Sequence, residues 1–167
     1  MKIKRVCMSF LVMSFIISVL GCGANRPKRV YLAAPFFNDE EVKNVEYVET
    51  ILSEKGLSCF SPMRNEVDGE KGTLEWAERI FSMDKDEIDK ADAVIALNYG
   101  SYGDTGTAWE CGYAAGVGKP VILVHVYRDG DSNLMLHCGS VTNVYLDELA
   151  DYDFDSMPVH EYNGKMY

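Results

Sequence analysis

Short apolar runs alternate with amphipathic segments along most of this chain, and this alternation is the strongest constraint on its fold. The apolar runs occupy residues 29–34, 57–61, 93–97, 120–126 and 141–146. Between them, apolar residues recur at helical spacing, as with Val42, Val45 and Val48. Strands that alternate with helices form a parallel sheet. The sequence therefore predicts an α/β fold with a doubly wound, five-stranded parallel sheet and helices on both faces.

The first two dozen residues have a different character from the rest. Basic residues precede an apolar run over residues 7–20, which ends at Gly21-Cys22. The run is too short for a comfortable membrane span and fits the apolar region of a secretory signal. Gly21-Cys22 resembles a bacterial lipobox, whose cysteine is acylated. We therefore expect a signal peptide over residues 1–24 and a catalytic domain over residues 25–167.

This N-terminal pattern predicts a membrane-anchored lipoprotein that faces outside the cytoplasm and is held by acylated Cys22. Two alternatives stay open. The segment could be an uncleaved N-terminal anchor, or a mis-called start codon could lie upstream of a cytoplasmic protein.

The charge and the cysteines of the remaining chain narrow the choice of partners. Residues 25–167 carry 13 basic and 26 acidic side chains. Such a surface repels nucleic acid and anionic lipid, so membrane attachment would depend on the acyl chain. Cys59, Cys111 and Cys138 are odd in number and lie in segments predicted to be buried. They are typical of small core residues in a reducing compartment, which disagrees with export.

Two carboxylates follow the apolar run at residues 93–97. Asp104 and Glu110 come after it through a glycine-rich turn, where a helix over residues 105–118 is predicted to begin. Open α/β sheets bind ligands at this edge. Thr107-Ala-Trp-Glu110 also fits a capping box, in which the glutamate only satisfies a backbone N–H group. Both interpretations stay open at this point.

A third carboxylate, Asp84, lies within the apolar stripe of the helix predicted to follow Thr73. The stripe consists of Ala77, Ile80, Phe81, Ile88 and Ala91. An ionised group on a core-facing stripe costs several kcal/mol unless it has a partner or faces a cavity. We therefore expect a functional role for Asp84, with a raised pKa. Its neighbour Glu87 is expected on the solvated face.

The residues around this edge favour a neutral ligand. The glycines at 100, 103 and 106 lack the spacing of a dinucleotide fingerprint, and residues 97–118 contain no lysine or arginine. Arg64 is the nearest basic residue, and it leaves a phosphate-bearing ligand open. No metal ion or cofactor is predicted. Side chains that could stack on a flat ring are Phe36, Phe37, Tyr99, Tyr102 and Trp109.

Five segments, in order along nearly the whole body of the chain, resemble the nucleoside 2-deoxyribosyltransferase family. They are Val30-Tyr-Leu-Ala-Ala-Pro-Phe-Phe37, Asp84, Asp104-x-Gly-x-x-x-Glu110-x-Gly-Tyr-Ala, Asn133-Leu-Met135 and the C-terminal Glu161-Tyr-Asn-Gly-Lys-Met-Tyr167. The resemblance implies the flavodoxin-like form of the predicted sheet. One departure is Ala33, where relatives often carry glycine.

The resemblance also implies roles for the carboxylates. Glu110 would be the nucleophile that attacks C1′ of a 2′-deoxyribonucleoside, and Tyr31 would orient it through a hydrogen bond. Asp84 and Asp104 would bind the base, and one of them would protonate it as it leaves. The N-terminal helix position favours the ionised form of Glu110.

Further implied residues bind the substrate. Asn133 and the carboxylate of Tyr167 would hold sugar hydroxyls, in family members partly from a neighbouring subunit. Phe37 and Met135 would line the pocket, and Glu66 lies in the segment that touches the base edge in relatives. A homo-oligomer, either a dimer or a hexamer, is implied.

The implied activity is base exchange between 2′-deoxyribonucleosides and free bases through a covalent deoxyribosyl-glutamate, with retention of configuration. Two alternatives stay open. One is an N-glycosidase that hydrolyses deoxynucleosides or their 5′-monophosphates, and the other is a non-catalytic nucleoside-binding lipoprotein.

Overall fold

The computed structural model describes residues 26–167. Cys22 and the expected signal segment lie outside the described residues. The elements are β1 (Arg29–Ala33), α1 (Asp39–Glu54), β2 (Ser58–Phe60), α2 (Leu74–Lys90), β3 (Ala93–Asn98), α3 (Thr105–Gly116), β4 (Val121–His125), β5 (Asp131–Ser132), α4 (Leu134–Gly139), β6 (Thr142–Tyr145) and β7 (Lys165–Met166).

The main sheet has five parallel strands in the order β2-β1-β3-β4-β6. This is the flavodoxin-like order, so the predicted fold class is confirmed. All five predicted strands are present, and each predicted end agrees with the structure to within one residue. The sequence did not reveal the small parallel ladder β5-β7, which joins Asp131–Ser132 to the C-terminal tail.

Successive residues of β1 enter opposite cores, as the pleat of a strand requires. Val30 and Leu32 pack with α1 on one face of the sheet. Tyr31 and Ala33 pack on the other face with buried residues of α2 and α3. The sheet is therefore covered on both sides, and Tyr31 points toward the helices that carry the carboxylates.

Local capping signals mark the ends of helices α1 and α2. The side chain of Asn38 accepts hydrogen bonds from the N–H groups of Glu40 and Glu41, and that of Thr73 accepts one from Trp76. Gly56 follows α1 with a positive φ of 72°, which glycine adopts without strain. These caps fix where the two helices begin and where the first one ends.

The predicted core stripe of α2 is wrong for most of its length. Only Ile88 of that helix is buried, whereas Phe81 is 51% exposed. The helix turns its apolar stripe toward an open groove beside α3. Asp84 can therefore lie within the stripe without being buried in the core. The stripe follows the wall of a site, and the helix contacts the sheet only near its C-terminal end.

Two other expectations also fail. Glu87 is largely buried and forms ion pairs with Arg29 and Lys90, so it is not a solvated charge. Cys138 is exposed on the short helix α4, whereas Cys111 is buried and Cys59 is partly buried.

Among residues 26–167, no helix has the length and apolarity needed to cross a bilayer.

Candidate active site

A cavity of about 390 Å³ opens at the carboxyl edge of the sheet, between α2, α3 and the loops that follow β1 and β2. All three predicted carboxylates, Asp84, Asp104 and Glu110, line it. The remaining walls are Ala34, Phe36, Phe37, Pro62, Met63, Asn65, Glu66, Val67, Lys71, Trp76, Ile80, Met83, Gly106 and Thr107. The cavity is mostly apolar with a few polar groups, as is typical of sites for small organic ligands.

Tyr31 holds Glu110 in place. The Tyr31 ring is completely buried, and its hydroxyl donates a hydrogen bond of 2.6 Å to Oε1 of Glu110. Phe60 of the neighbouring strand stacks on the Tyr31 ring, with centroids 5.7 Å apart. A rigid donor on a central strand therefore fixes one carboxylate oxygen and leaves Oε2 without a described hydrogen bond.

Asp104 begins helix α3. Its Oδ2 accepts hydrogen bonds from the N–H group of Thr107 at 2.6 Å and from the Thr107 hydroxyl at 2.9 Å. The capping-box interpretation of Glu110 is therefore wrong, because the cap lies three residues before Thr107 and Glu110 lies in the second turn. Only one oxygen of Asp104 is occupied by the cap, so the other can meet a ligand.

Burial dominates the electrostatics of the other two carboxyls. It raises the pKa of Glu110 to about 8, helped by the nearby charges of Asp84 and Asp104 and opposed by the Tyr31 hydrogen bond. It also raises the pKa of Asp84 to about 6, as expected. The expected stabilisation of ionised Glu110 by the helix N-terminus is therefore outweighed. Between these pKa values the Glu110–Asp84 pair carries about one proton and one negative charge.

Asp84 lines the cavity and has one carboxylate oxygen without a hydrogen bond from residues 26–167. Its Oδ1 is buried and has no hydrogen-bond partner among the described residues. A buried oxygen without a hydrogen bond destabilises the folded protein. Such groups are therefore found mainly at sites where a ligand supplies the missing hydrogen bond. The same carboxyl also borders an adjoining apolar groove of about 380 Å³, formed with Phe81 and Trp109.

The aromatic candidates divide between the cavity and other places. Phe36 and Phe37 stack on each other at the rim, and the N–H group of Phe37 donates to Glu41 at 2.7 Å. Tyr99 instead packs edge-on against Tyr127. Tyr102 is 99% exposed and lines a different cavity. Of the aromatic candidates named from the sequence, Phe36 and Phe37 line the main cavity, together with Trp76, which the sequence did not single out.

The loop after β2 supplies polar groups that the sequence did not single out. Lys71 lines the cavity and pairs with Glu66 at 3.0 Å, and Asn65 lies beside them. Arg64, the predicted nearest cation, instead pairs with Glu46 and Glu49 on α1 and does not line the cavity. The only sequence feature that could have indicated Lys71 was its place in the polar loop at residues 62–72. The position of its side chain could not be predicted, because the conformation of that loop depends on tertiary contacts.

The remaining predicted substrate residues form a second group. Asn133 and Met135 line a separate cavity of about 450 Å³ between α3 and α4. Tyr167 is joined to them, because its backbone oxygen accepts from the N–H group of Leu134 at 2.9 Å. None of the three lines the cavity of Glu110 within one chain. Asp104 borders both cavities.

No group of three or more His, Cys, Asp or Glu side chains in the described part of the chain could hold a metal ion. The polar residues that line the main cavity include carboxylates, a lysine, an amide and Thr107, and the Tyr31 hydroxyl is bonded to one of the carboxylates. This set can supply a nucleophile, an acid and hydrogen bonds to a neutral ring.

Comparison with known proteins gives consistent matches. The sequence profile of the nucleoside 2-deoxyribosyltransferase family matches residues 30–142. A nucleoside deoxyribosyltransferase from Lactobacillus johnsonii is 32% identical over 97 residues, which span 56% of this chain and 64% of that relative.

Two solved structures are also similar. The 2-deoxyribosyltransferase from Bacillus psychrosaccharolyticus has 35% identity and a TM-score of 0.74, covering 80% of this chain and 98% of its own. The CMP N-glycosidase from Clostridium botulinum has 27% identity and a TM-score of 0.54, covering 74% of this chain and 96% of its own. The family profile covers most of the folded body and includes all three cavity carboxylates. This chain belongs to the nucleoside 2-deoxyribosyltransferase family.

Proposed function

We propose that this protein is a nucleoside deoxyribosyltransferase, a pentosyltransferase that exchanges the base of 2′-deoxyribonucleosides. The observation that carries the proposal is the Glu110 carboxylate, held at 2.6 Å by the buried Tyr31 hydroxyl in a cavity that also contains Asp84 and Asp104. A positioned carboxylate beside a second, protonated carboxyl is the equipment of retaining glycosyl transfer. The substrates would be 2′-deoxyribonucleosides and free bases, with no cofactor.

In the first displacement, a Glu110 carboxylate oxygen forms a bond to C1′ while the bond from C1′ to the base nitrogen breaks. The electron pair of that bond leaves with the base, which takes a proton from Asp84. A sugar without the electron-withdrawing 2′-hydroxyl reaches the cationic transition state more easily. The product is a deoxyribosyl ester of Glu110 with inverted configuration at C1′, and the second displacement inverts C1′ again, so the full cycle retains the configuration.

In the second displacement, a nitrogen of the incoming base attacks C1′ and the ester bond to Glu110 breaks. The proton of the incoming base returns to Asp84, so atoms and charges balance over the cycle. We assign the proton transfer to Asp84, because its Oδ1 is free and burial raises its pKa to about 6. Asp104 would bind the base with the oxygen that the helix cap leaves free.

A homo-oligomer would account for the second group of predicted substrate residues. We propose a homo-oligomer in which Asn133, Met135 and Tyr167 of one subunit complete the cavity of a neighbour. The support is their separation from Glu110 within one chain and the exposure of Met135 and Tyr167, which are 74% and 60% exposed. Within the neighbour's cavity, Phe37 and Glu66 would contact the base.

The decisive experiment is incubation of the purified protein with deoxyinosine and adenine. We expect deoxyadenosine and hypoxanthine to form, with Glu110→Ala abolishing both. Intact mass spectrometry with a slow 2′-fluorinated analogue should show an adduct on Glu110. Hypoxanthine without deoxyadenosine would instead support hydrolysis, and nucleoside binding without turnover would support a binding protein.

Hydrolysis of deoxynucleosides or their 5′-monophosphates is the second candidate function. One similar protein and one side chain support it. The similar Clostridium botulinum protein is a CMP N-glycosidase. Lys71 places a cation at the main cavity of this chain. Release of free base from deoxycytidine monophosphate, measured beside deoxycytidine, would favour this candidate if the phosphorylated substrate were the faster one.

We further propose that Cys22 is acylated and anchors the protein outside the cytoplasm. The support is the apolar run that ends at Gly21-Cys22. Metabolic labelling with a radioactive fatty acid should label the wild type and leave Cys22→Ser unlabelled. An unlabelled wild type found in the cytoplasm would favour the mis-called start.

A further inference from the structure

A buried polar network lies beside the candidate site and includes the last residues of two strands of the main sheet, β3 and β4. It consists of Asn98 on β3, His125 on β4, Asn143 on β6 and Ser132 on β5. Each of these residues is at most 9% exposed. The catalytic steps described above use none of them. Buried polar groups persist when they are fully bonded, and such networks fix a unique arrangement of the surrounding chain.

The hydrogen bonds determine the state of the His125 ring. The N–H group of Gly100 donates to Oδ1 of Asn98 at 3.2 Å, which places the Asn98 amide nitrogen toward Nδ1 of His125 and Oγ of Ser132, each at 3.2 Å. Nδ1 therefore accepts, and Nε2–H donates to Oδ1 of Asn143 at 2.9 Å. Burial lowers the pKa of His125, so the ring stays in this neutral form.

The face of the His125 ring holds the C-terminal tail. Tyr162 stacks on it with centroids 4.1 Å apart and an interplanar angle of 11°. The Tyr162 hydroxyl donates to the backbone oxygen of Gly130 at 2.9 Å. His125 is therefore in contact with the tail through its face, and with the segment around Ser132 through Asn98.

These two segments carry the sugar-binding candidates, and they are joined to each other. The N–H group of Tyr167 donates to the oxygen of Ser132 at 3.0 Å, and the N–H group of Leu134 donates to the oxygen of Tyr167 at 2.9 Å. Asn133 lies between the two bonded residues. The pair of short strands β5 and β7 is too small to be stable alone, so it depends on an anchor in the core.

We propose that His125 is a positioning residue that holds Asn133 and the C-terminal Tyr167 in the arrangement that binds the sugar. It acts through the Asn98 bond to Ser132 and through the stacked Tyr162, and it does not touch the substrate. This inference rests on the proposed function, because it requires that Asn133 and Tyr167 bind the deoxyribose.

Two substitutions in the full-length protein test the proposal. His125→Phe keeps an aromatic ring for Tyr162 and removes both hydrogen bonds. Tyr162→Leu keeps both hydrogen bonds of His125 and removes the stacked ring, together with the hydroxyl bond to Gly130. We expect each to raise the hydrogen-exchange rate of the Leu134 and Tyr167 amides by about tenfold or more, with unchanged exchange in helix α1. If His125→Phe does not fold, the amide exchange of Tyr162→Leu alone decides whether the stacked pair of rings holds the tail.

Kinetics of base exchange provide the functional readout. We expect the KM for deoxyinosine to rise about tenfold in each variant, with kcat within about threefold of wild type, because a binding contact is lost and the Glu110 chemistry is intact. The control is Val48→Ala, which opens the core on the α1 face and should lower thermal stability without raising KM.

Unchanged exchange of Leu134 and Tyr167, or an unchanged KM, in a folded variant would overturn the proposal. A wild type without base exchange would refute the proposed function instead. In that case the amide exchange still decides whether His125 anchors the tail.

Discussion

The Glu110 carboxyl faces two opposing requirements. In the proposed mechanism it has to be ionised to attack C1′, yet burial raises its pKa to about 8. Asp84, with a pKa raised to about 6, has to be protonated to assist the leaving base. Both requirements are met in the state that carries one proton on the pair. In the proposed mechanism, the nucleoside reacts only from the arrangement in which that proton is on Asp84.

This shared proton predicts a bell-shaped dependence of kcat/KM on pH. Activity should fall below about pH 6, where both carboxyls are protonated, and above about pH 8, where both are ionised. Asp84→Asn should lower the maximum rate and abolish the alkaline limb, because the variant has no acid left to lose a proton. An alkaline limb that persists unchanged in Asp84→Asn would contradict the assignment. The profile is measured by deoxyadenosine formation.

Replacing Glu110 tests the cost of its burial. The pKa of Glu110 is raised from 4.5 to about 8, so its contribution to stability is complete below about pH 4.5 and is lost as the pH rises through 8. Glu110→Gln keeps an acceptor for Tyr31 and cannot ionise. We expect this inactive variant to gain stability on the order of 1 kcal/mol at pH 8. The gain should disappear near pH 4.5.

Thermal unfolding at both pH values checks this second prediction. A suitable control is Glu78→Gln, which removes an exposed charge on helix α2 and should shift the melting temperature little at either pH. An equal or lower melting temperature for Glu110→Gln at pH 8 would contradict the burial argument.

At the scale of elements, the start of helix α3 combines a structural and a chemical task. Oδ2 of Asp104 caps the helix at the Thr107 N–H group, and the residue also lines the main cavity. The helix presents Glu110 one turn and a half later, so the cap fixes the position of the nucleophile. The family resemblance implies that the same carboxylate binds the base, whereas the only cap that the sequence suggested here was the alternative capping box beginning at Thr107.

Two substitutions of Asp104 separate these tasks. Asp104→Ser keeps an oxygen for the cap, whereas Asp104→Ala removes it and should cost about 1 kcal/mol of stability. We expect both variants to lose base exchange by a similar factor, and only Asp104→Ala to show a lower melting temperature. Near-normal base exchange by Asp104→Ser would show that the free oxygen does not contact the substrate.

Helix α2 shows why a periodic pattern can predict the element and not its surroundings. The apolar repeat from Ala77 to Ala91 predicts the helix found at Leu74–Lys90. The same repeat packs against a core in most proteins, and here most of it borders a cavity and a groove. The sequence contained one signal of this difference, the charge of Asp84 within the stripe.

At the scale of the whole molecule, a composite site predicts complementation between inactive subunits. Glu110→Ala and Asn133→Ala should each be inactive or nearly so. If Asn133 acts in a neighbour's cavity, mixed dimers regain one intact site of two, so random mixing should restore about a quarter of wild-type activity. The mixture is refolded or co-expressed and assayed by base exchange.

The control for this prediction is a mixture of Glu110→Ala with Asp84→Asn. These residues line the same cavity of one chain, so mixing them cannot assemble an intact site. Activity of the Asn133→Ala mixture that equals the sum of its separate components would contradict the composite site.

The sequence by itself determined the order of the five main-sheet strands and of helices α1, α2 and α3, because hydrophobic periodicity and helix caps act over a few residues. It also located the three cavity carboxylates and Tyr31, since the resemblance rests on residues next to those strands and caps. Only the tertiary structure decided that Lys71 lines the cavity, that Arg64 faces α1 and that Glu87 is paired. It also raised the pKa of Glu110 against the local effect of the helix N-terminus. The physical reason is that burial, ion pairing and side-chain direction depend on residues distant in the chain, which no local pattern specifies.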